Sequence, residues 1–322
     1  MSKYEEARTR WLAERASYEE FGRALDARLR KAIRKEGIWA EVSSRAKDID
    51  SLIRKLIKKP EHTYESLSDK SGIRVIVRHM AEIEPVVNIA EQLFACANRE
   101  NKVDTLGPKT VGYLSTHVDV RLRDDDSLAS TYPAIRFRAE LQVRTLAQHL
   151  WSEMSHDAFY KNDETMNPLP IPLQRRIYIL AGTLEVADNE FNRLNSEMPS
   201  VPEVGILKTL EKHYYKLTAR RSDSEVSLDV IRVLLPLYKC KTPDQIATHL
   251  DEFYLSHEDT LQTVYDEAVE RPERSAYLYQ PEALMIYDLL ESDPAPIRAQ
   301  WAASFPEREL ERIANSFGMS FD

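Results

Sequence analysis

Apolar positions recur along this chain with two periods, helical at the ends and strand-like in the middle. Tyr4, Ala7, Trp11, Tyr18, Phe21 and Leu25 return at helical spacing among charged residues, which predicts one long helix over residues 3–36 with Gly37 as its stop signal. Glu14 falls on this stripe and interrupts it. A second amphipathic helix is predicted over 47–58, closed by Pro60. GIRVIVRH, from Gly72 to His79, is rich in β-branched residues and predicts a buried strand, followed by a helix from Ile83 to Ala97. Two runs then alternate. Ser115 to Leu122 sets His117, Asp119 and Arg121 against Val118, Val120 and Leu122. Ala134 to Thr145 sets Arg136, Arg138, Glu140, Gln142 and Arg144 against Ile135, Phe137, Ala139, Leu141 and Val143. Alternation of that length predicts strands, and RDDDSLAS between them suits a turn.

Beyond Thr145 the pattern is helical throughout. Helices are expected at roughly 145–160, 170–196, 206–219, 226–238, 243–253, 259–270, 281–290 and 306–316. The proline-bearing MNPLPIPLQ and SEMPSVPEVG are natural breaks. The domain boundary is placed near residue 200, separating residues 1–200 from a helical region, 201–322, in which no repeat of fixed period is found.

The chain has 322 residues, 43% of them hydrophobic and 30% charged, values ordinary for a globular protein with one large or two modest domains. With only eight glycines, and no GxxxxGK[ST] or GxGxxG, a glycine-rich phosphate loop is not expected. Cys96 and Cys240 are far apart and lack metal-ligand spacing, which fits a reducing cytosol. The charged N-terminus, MSKYEEARTRWLAERASYEE, has no apolar signal core, and no apolar run reaches the ~20 residues that span a bilayer. A cytoplasmic protein without membrane attachment is expected. The net charge of -9 disfavours general nucleic-acid binding, although local basic clusters remain.

Candidate chemistry gathers on the second alternating run and the helix after it. His149, Glu153 and His156 recur at i, i+4 and i+7, with Tyr160 next on that stripe. This is not the HExxH spacing of a zinc helix. An amphipathic surface, a polar network and part of a site all fit it. His156-Asp157 alone does not define an HD phosphohydrolase.

LSDKSGIRVIV, then GPKTVGYLSTHVDV, then AELQVRTLAQHLWSEMSHDAFYK resemble, in order and spacing, the synthetase domain of RelA/SpoT-type (p)ppGpp synthetases. Gly112-Tyr113-Leu114-Ser115-Thr116-His117 is similar to the family's tyrosine-to-histidine motif. Glu140-Leu141-Gln142-Val143-Arg144-Thr145 matches its E-x-Q-x-R-T motif, followed by W-x-E-x-x-H-D-x-x-Y-K ending at Lys161. Arg45-Ala46-Lys47 and Ser51-Leu52-Ile53-Arg54-Lys55 resemble its basic helix. The motif core covers about residues 40–165, and four motifs in one order make the match specific.

The resemblance implies an α+β fold, a nucleotidyltransferase-like mixed β-sheet flanked by helices, with an all-helical C-terminal extension. It implies transfer of the β,γ-pyrophosphate of ATP to the 3′-hydroxyl of GDP or GTP, making (p)ppGpp with Mg2+ as cofactor. Asp69 and Glu140 are then the catalytic and metal-binding pair, Asp69 the principal ligand and Glu140 a ligand, the base, or both. Arg45, Lys47, Ser51, Lys55 and Arg74 would serve ATP. Arg74 lies on a strand that reads as buried, so it needs a carboxylate or phosphate partner. Lys102, Lys109 and Arg144 would hold acceptor phosphates, and Tyr113 would stack on the acceptor base with His117 and Gln142 nearby. His149, Glu153 and His156 are expected to support these groups from behind.

Val111 and Leu114 flank Tyr113 where many members of the family carry polar residues, which bears on acceptor fit. No HD hydrolase domain precedes the motifs, and no TGS or ACT region is recognisable after them, so a stand-alone synthetase is expected. Two other readings stay open. One keeps the transfer but directs it to a tRNA 3′ end or an adenine nucleotide, with KAIRKEG and KLIKKP as candidate basic surfaces for tRNA. The other is a catalytically silent interaction module. The tail is expected to pack, with a homo-oligomer contact or a protein partner as alternative uses.

Overall fold

The computed structural model describes residues 2–101, 115–158, 170–239, 241–270 and 280–320. The chain divides into two compact units, Met1–Ile33 with Trp39–Arg193 and Arg34–Ile38 with Leu194–Asp322.

The first unit is built on a five-stranded mixed sheet in the order β1-β2-β5-β4-β3. Its strands are β1 (Ala40–Ala46), β2 (Ser71–Val77), β3 (Ala95–Asn101), β4 (Thr116–Arg121) and β5 (Ala139–Thr145). β2 and β5 run parallel and the other neighbours antiparallel. One sheet face is apolar, carrying Val42, Ile73, Val75, Ala139, Leu141, Val143, Val118 and Val120, all buried. The long helix α1 (Lys3–Lys35) buries its stripe of Trp11, Tyr18, Phe21 and Leu25 in this unit. Gly22 lets it approach closely, because a Cβ there would stand 2.7 Å from Ser71 Oγ. Tyr18 and Phe21 meet Phe137 at ring-centroid separations of 4.8 and 5.5 Å, distances suited to tilted aromatic packing.

Helices α2 (Ile49–Lys58), α3 (Ile83–Leu93), α4 (Leu146–Ala158) and α5 (Ile171–Glu197) complete the set around the sheet. Asp48 caps α2 by accepting a hydrogen bond from the Ser51 amide at 3.0 Å, which starts the helix at Ile49.

The structure corrects several expected elements. Arg45, Ala46 and Lys47 do not open a helix: Arg45 and Ala46 end β1, where Val42 and Ala46 point inward, and Asp48 sets the helix start after them. The strand expected over 134–145 begins at Ala139, because the Arg136 and Phe137 amides both bond to Pro133 O in a turn. The helix expected to Ala97 stops at Leu93, and residues 95–101 form an edge strand paired with β4. That strand carries a bulge and a left-handed Asn98, at φ 48°, features typical of sheet edges.

The second unit is helical: α6 (Pro202–Thr218), α7 (Ser224–Leu234), α8 (Pro243–Glu270), α9 (Ala283–Ser292), α10 (Pro294–Ala302) and α11 (Glu307–Ser316). The two helices expected at 243–253 and 259–270 are one, kinked at His257. α10 lies where no helix is predicted from the pattern. Pro294 occupies its first turn, where its missing N–H costs nothing. Residues Ala283–Leu290 of α9 are all buried, as befits a helix at the centre of its unit. Inside this core Asp288 accepts the Tyr238 hydroxyl at 2.5 Å and His249 Nε2 at 2.8 Å. Tyr214, one of the tail tyrosines, is buried. Among the described residues no helix is long and apolar enough to cross a membrane.

Candidate active site

The polar face of the sheet follows from register. Gly72 on β2 pairs with Arg45 on β1 and with Glu140 on β5, and Glu140 pairs with Asp119 on β4. One rung along, Arg74 pairs with Ser43 and Gln142, and Gln142 with His117. Paired residues share a face, so this surface collects Arg45, Arg74, His117, Asp119, Glu140 and Gln142. Gly72 leaves its floor open: a Cβ there would meet nothing nearer than Arg45 O at 3.9 Å.

Asp69 stands in the turn just before β2. Its Oδ2 receives Lys47 Nζ at 2.6 Å and Lys55 Nζ at 2.7 Å. Its Oδ1 is buried without a hydrogen-bond partner. Burial alone would raise the carboxyl, but the two ammonium groups outweigh it and hold Asp69 below the usual carboxylate range. Both lysines are therefore engaged by the carboxylate, each through one of three donors. Ser51 lies in the first turn of α2 and its amide serves the Asp48 cap.

Glu140 heads a hydrogen-bonded ladder on β5. Its Oε1 lies 3.2 Å from His117 Nδ1, and its Oε2 accepts from Gln142 Nε2 at 2.6 Å. Gln142 Oε1 in turn accepts from Arg144 Nη2. An ionised carboxylate only accepts, so His117 carries its proton on Nδ1. In the neutral ring Nε2 then accepts the Ser115 hydroxyl, 2.7 Å away. Burial pushes Glu140 up, while His117 and Gln142 pull it down and Asp69 pushes it up again. The balance leaves it below the usual range. Asp69 and Glu140 are thus near enough for their charges to be felt mutually.

Arg144 is the most constrained cation in the site. It is 3% exposed, and its Nε and Nη1 are buried without partners. Burial, then the neighbouring Arg74 and Arg45, pull its pKa well below the ordinary guanidinium range, down to about 10. Arg74 finds the carboxylate partner its position demanded, with Nη1 3.0 Å from Glu153 Oε1 on α4. His149 lies beside the same pair, its Nδ1 3.7 Å from Glu153, and burial followed by Arg74 lowers it.

The structure therefore brings together Asp69, Glu140, Arg45, Lys47, Lys55, Arg74, His117, Gln142, Arg144, His149 and Glu153. Lys102, Lys109 and Tyr113 lie outside the described residues, and His156 is in α4 without a described side chain. Two contributors were missed from the sequence. Ser115 shares the period-two face with His117, a signal already present in the alternation. Lys70 points away from the site, 4% exposed, with Nζ 4.3 Å from the Tyr64 ring centroid and 5.1 Å from that of Tyr18. Burial lowers it to about 8.

The residues fit a divalent cation at one point. Asp69 Oδ1 is a carboxylate oxygen without a hydrogen-bond partner, and the Asp69 charge is felt at the Glu140 carboxylate, a donor set of the kind a hard divalent cation takes. Among the described residues there is no cluster of three or more His, Cys, Asp or Glu able to hold a metal.

Residues 44–165, within the first unit, match the family described as "Region found in RelA / SpoT proteins". Among individual relatives, the GTP pyrophosphokinase YwaC of Bacillus subtilis is 28% identical over 123 residues, 37% of this chain and 57% of that protein. The GTP pyrophosphokinase YjbM of the same organism is 24% identical over 161 residues, 49% of this chain and 72% of that protein. The chain thus spans little more than half the length of YwaC. Among solved structures, the small alarmone synthetase 1 from Bacillus subtilis aligns with a TM-score of 0.49 at 20% identity, covering 60% of this chain and all of that one. A GTP pyrophosphokinase family protein from Streptococcus pneumoniae aligns at 0.48 and 25% identity, covering 59% and 94%.

Proposed function

We propose that the first unit is an ATP:nucleotide 3′-pyrophosphokinase that makes (p)ppGpp from ATP and GDP or GTP in the cytoplasm. The observation that carries this reading is the pairing of two unsatisfied groups. Arg144 has two buried N–H donors without partners, beside further guanidinium groups, and Asp69 has one buried oxygen without a partner. A site complete in itself would leave neither. An anionic ligand carrying a cation answers both. The relatives named GTP pyrophosphokinase support the choice of a nucleotide polyphosphate.

Asp69 and Glu140 would hold a magnesium ion, which when bound would neutralise charge on phosphate oxygens. Lys47 and Lys55 keep Asp69 ionised and turn their remaining donors to the triphosphate. Arg45, Arg74 and Arg144 spread positive charge over the polyphosphate, as required where no glycine loop supplies backbone amides. The acceptor 3′-oxygen attacks the β-phosphorus, the bond to the α,β-bridging oxygen breaks, and AMP leaves with that electron pair. Glu140 accepts the hydroxyl proton. His117 and Gln142 fix both its oxygens, so that it meets the hydroxyl ionised and oriented.

The test is an acceptor panel. Purified protein is incubated with γ-labelled ATP, Mg2+ and, in parallel, GDP, GTP, ATP or bulk tRNA. Label in guanosine tetra- or pentaphosphate is expected. Label only in tRNA or an adenine nucleotide replaces the acceptor, and label nowhere leaves the silent interaction module.

A further inference from the structure

Asp69 and Lys70 are consecutive, and the chain turns them to opposite sides. Asp69 faces Lys47 and Lys55. The buried Lys70 ammonium faces the rings of Tyr18 and Tyr64, at 5.1 and 4.3 Å from their centroids. Both rings are themselves fixed. The Tyr18 hydroxyl donates to Arg136 O at 2.9 Å, and the Tyr64 hydroxyl to Glu14 Oε2 at 2.9 Å. Glu14, the residue that interrupts the apolar stripe of α1, also receives Arg10 Nε at 3.0 Å and Arg136 Nη2 at 3.2 Å. The Arg10 guanidinium lies 4.5 Å from the Tyr64 ring centroid. The main chain closes the arrangement, since the Lys70 carbonyl accepts the Lys47 amide at 2.9 Å.

A buried ammonium over aromatic faces is held by the ring quadrupoles, and leaving it there without such partners is costly. Residue 70 is consequently anchored twice, by its side chain to α1 and the Tyr64 turn, by its carbonyl to Lys47. Asp69, the adjoining residue, is constrained by both anchors. We infer that Lys70 is a positioning residue: its ammonium, seated on Tyr18 and Tyr64, fixes the turn that aims Asp69 Oδ1 into the site. The inference rests on the proposed metal role of Asp69 for its consequence, though not for the anchor itself.

Two readouts separate those links. Amide hydrogen exchange, measured without nucleotide, reports the anchor. Calorimetric titration of Mg2+ in the presence of a non-hydrolysable ATP analogue reports the consequence. Lys70→Met keeps length and apolar contact but removes the charge. It is expected to speed exchange at the Lys47 amide and over residues 67–71 at least tenfold, and to raise half-saturating Mg2+ at least fivefold. Tyr64→Leu should do the same or more, since it also removes the Glu14 hydrogen bond and the Arg10 contact, and Lys70→Met should add less in that background than alone, because the ammonium–ring contact is already gone. Lys70→Arg and Tyr64→Phe, which keep cation and ring respectively, should stay within twofold of the wild type. Melting curves establish that each variant is folded at the assay temperature. Should Lys70→Met not fold, Tyr64→Leu and Tyr64→Phe carry the comparison. Wild-type exchange at Lys47 and 67–71 in the folded variants overturns the inference, as does wild-type Mg2+ half-saturation beside fast exchange. Failure of the proposed function shows differently, as wild-type protein that transfers no pyrophosphate, and leaves the exchange result standing.

Discussion

Arg144→Met should make the empty protein more stable and the nucleotide complex weaker. The folded state lowers the Arg144 pKa well below the ordinary guanidinium range, to about 10, which corresponds to about 3 kcal/mol by which it disfavours the charged guanidinium at neutral pH. Methionine removes that term and fills much of the same volume. It also removes the hydrogen bond to Gln142, worth about 1 kcal/mol. The net is about 2 kcal/mol of stabilisation, or roughly 4–8 °C in melting temperature for a unit of this size. In the complex the two free donors of Arg144 would each make a charge-assisted bond, and losing both costs about 3 kcal/mol or more, roughly a hundredfold in affinity. Thermal denaturation in phosphate-free buffer measures the first effect. Calorimetry with Mg2+ and a non-hydrolysable ATP analogue measures the second. A variant less stable than wild type in the absence of ligand, binding the analogue with unchanged affinity, would refute the view that Arg144 is a stored, unpaired anion receptor.

Burial raises Asp188 to about 6, so its folded form holds a proton that the unfolded chain releases near pH 4. Its contribution to stability therefore falls as pH rises from about 4 to 6, and Asp188→Asn should flatten that stretch of a urea-unfolding profile; an unchanged slope would contradict this. Asp69 and Glu140 are shifted the other way. Their stabilisation is complete only above about pH 5 and is lost progressively as pH falls below that, so Asp69→Asn should be less acid-labile than wild type in the same measurement. Gly22→Val places methyl groups where even a Cβ would stand 2.7 Å from Ser71 Oγ, and should cost about 1–3 kcal/mol of overpacking, seen as a lower urea midpoint.

The sheet was legible where alternation was long and uninterrupted. β4 and the inner part of β5 show their two faces in the sequence, and both became an apolar face and a polar one. The motif residues Arg74, Glu140 and Arg144 could be assembled because register, not long-range loop geometry, brings them together, and Asp69 follows from the turn that leads into β2. β1 and β3 were not legible. Ala40–Ala46 carries serines and charges on an edge, and Ala95–Asn101 continues a helix-like run until pairing with β4 overrides it. Glu14 read as a flaw in a helical stripe because its partners, Tyr64 and Arg136, are 50 and 122 positions away. Lys70 was hidden for the same reason. A lysine in a polar motif reads as solvated, and only the tertiary approach of Tyr18 and Tyr64 buries it.

The central claim is that Asp69 and Glu140 together make the first unit a pyrophosphate-transfer site. Single-turnover transfer from γ-labelled ATP to GDP or GTP, with wild type, Asp69→Asn and Glu140→Gln at matched thermal stability, tests it most directly. The account predicts transfer by the wild type and a loss of at least a thousandfold in each variant, several kcal/mol of transition-state stabilisation. Near-wild-type turnover in either variant would contradict it.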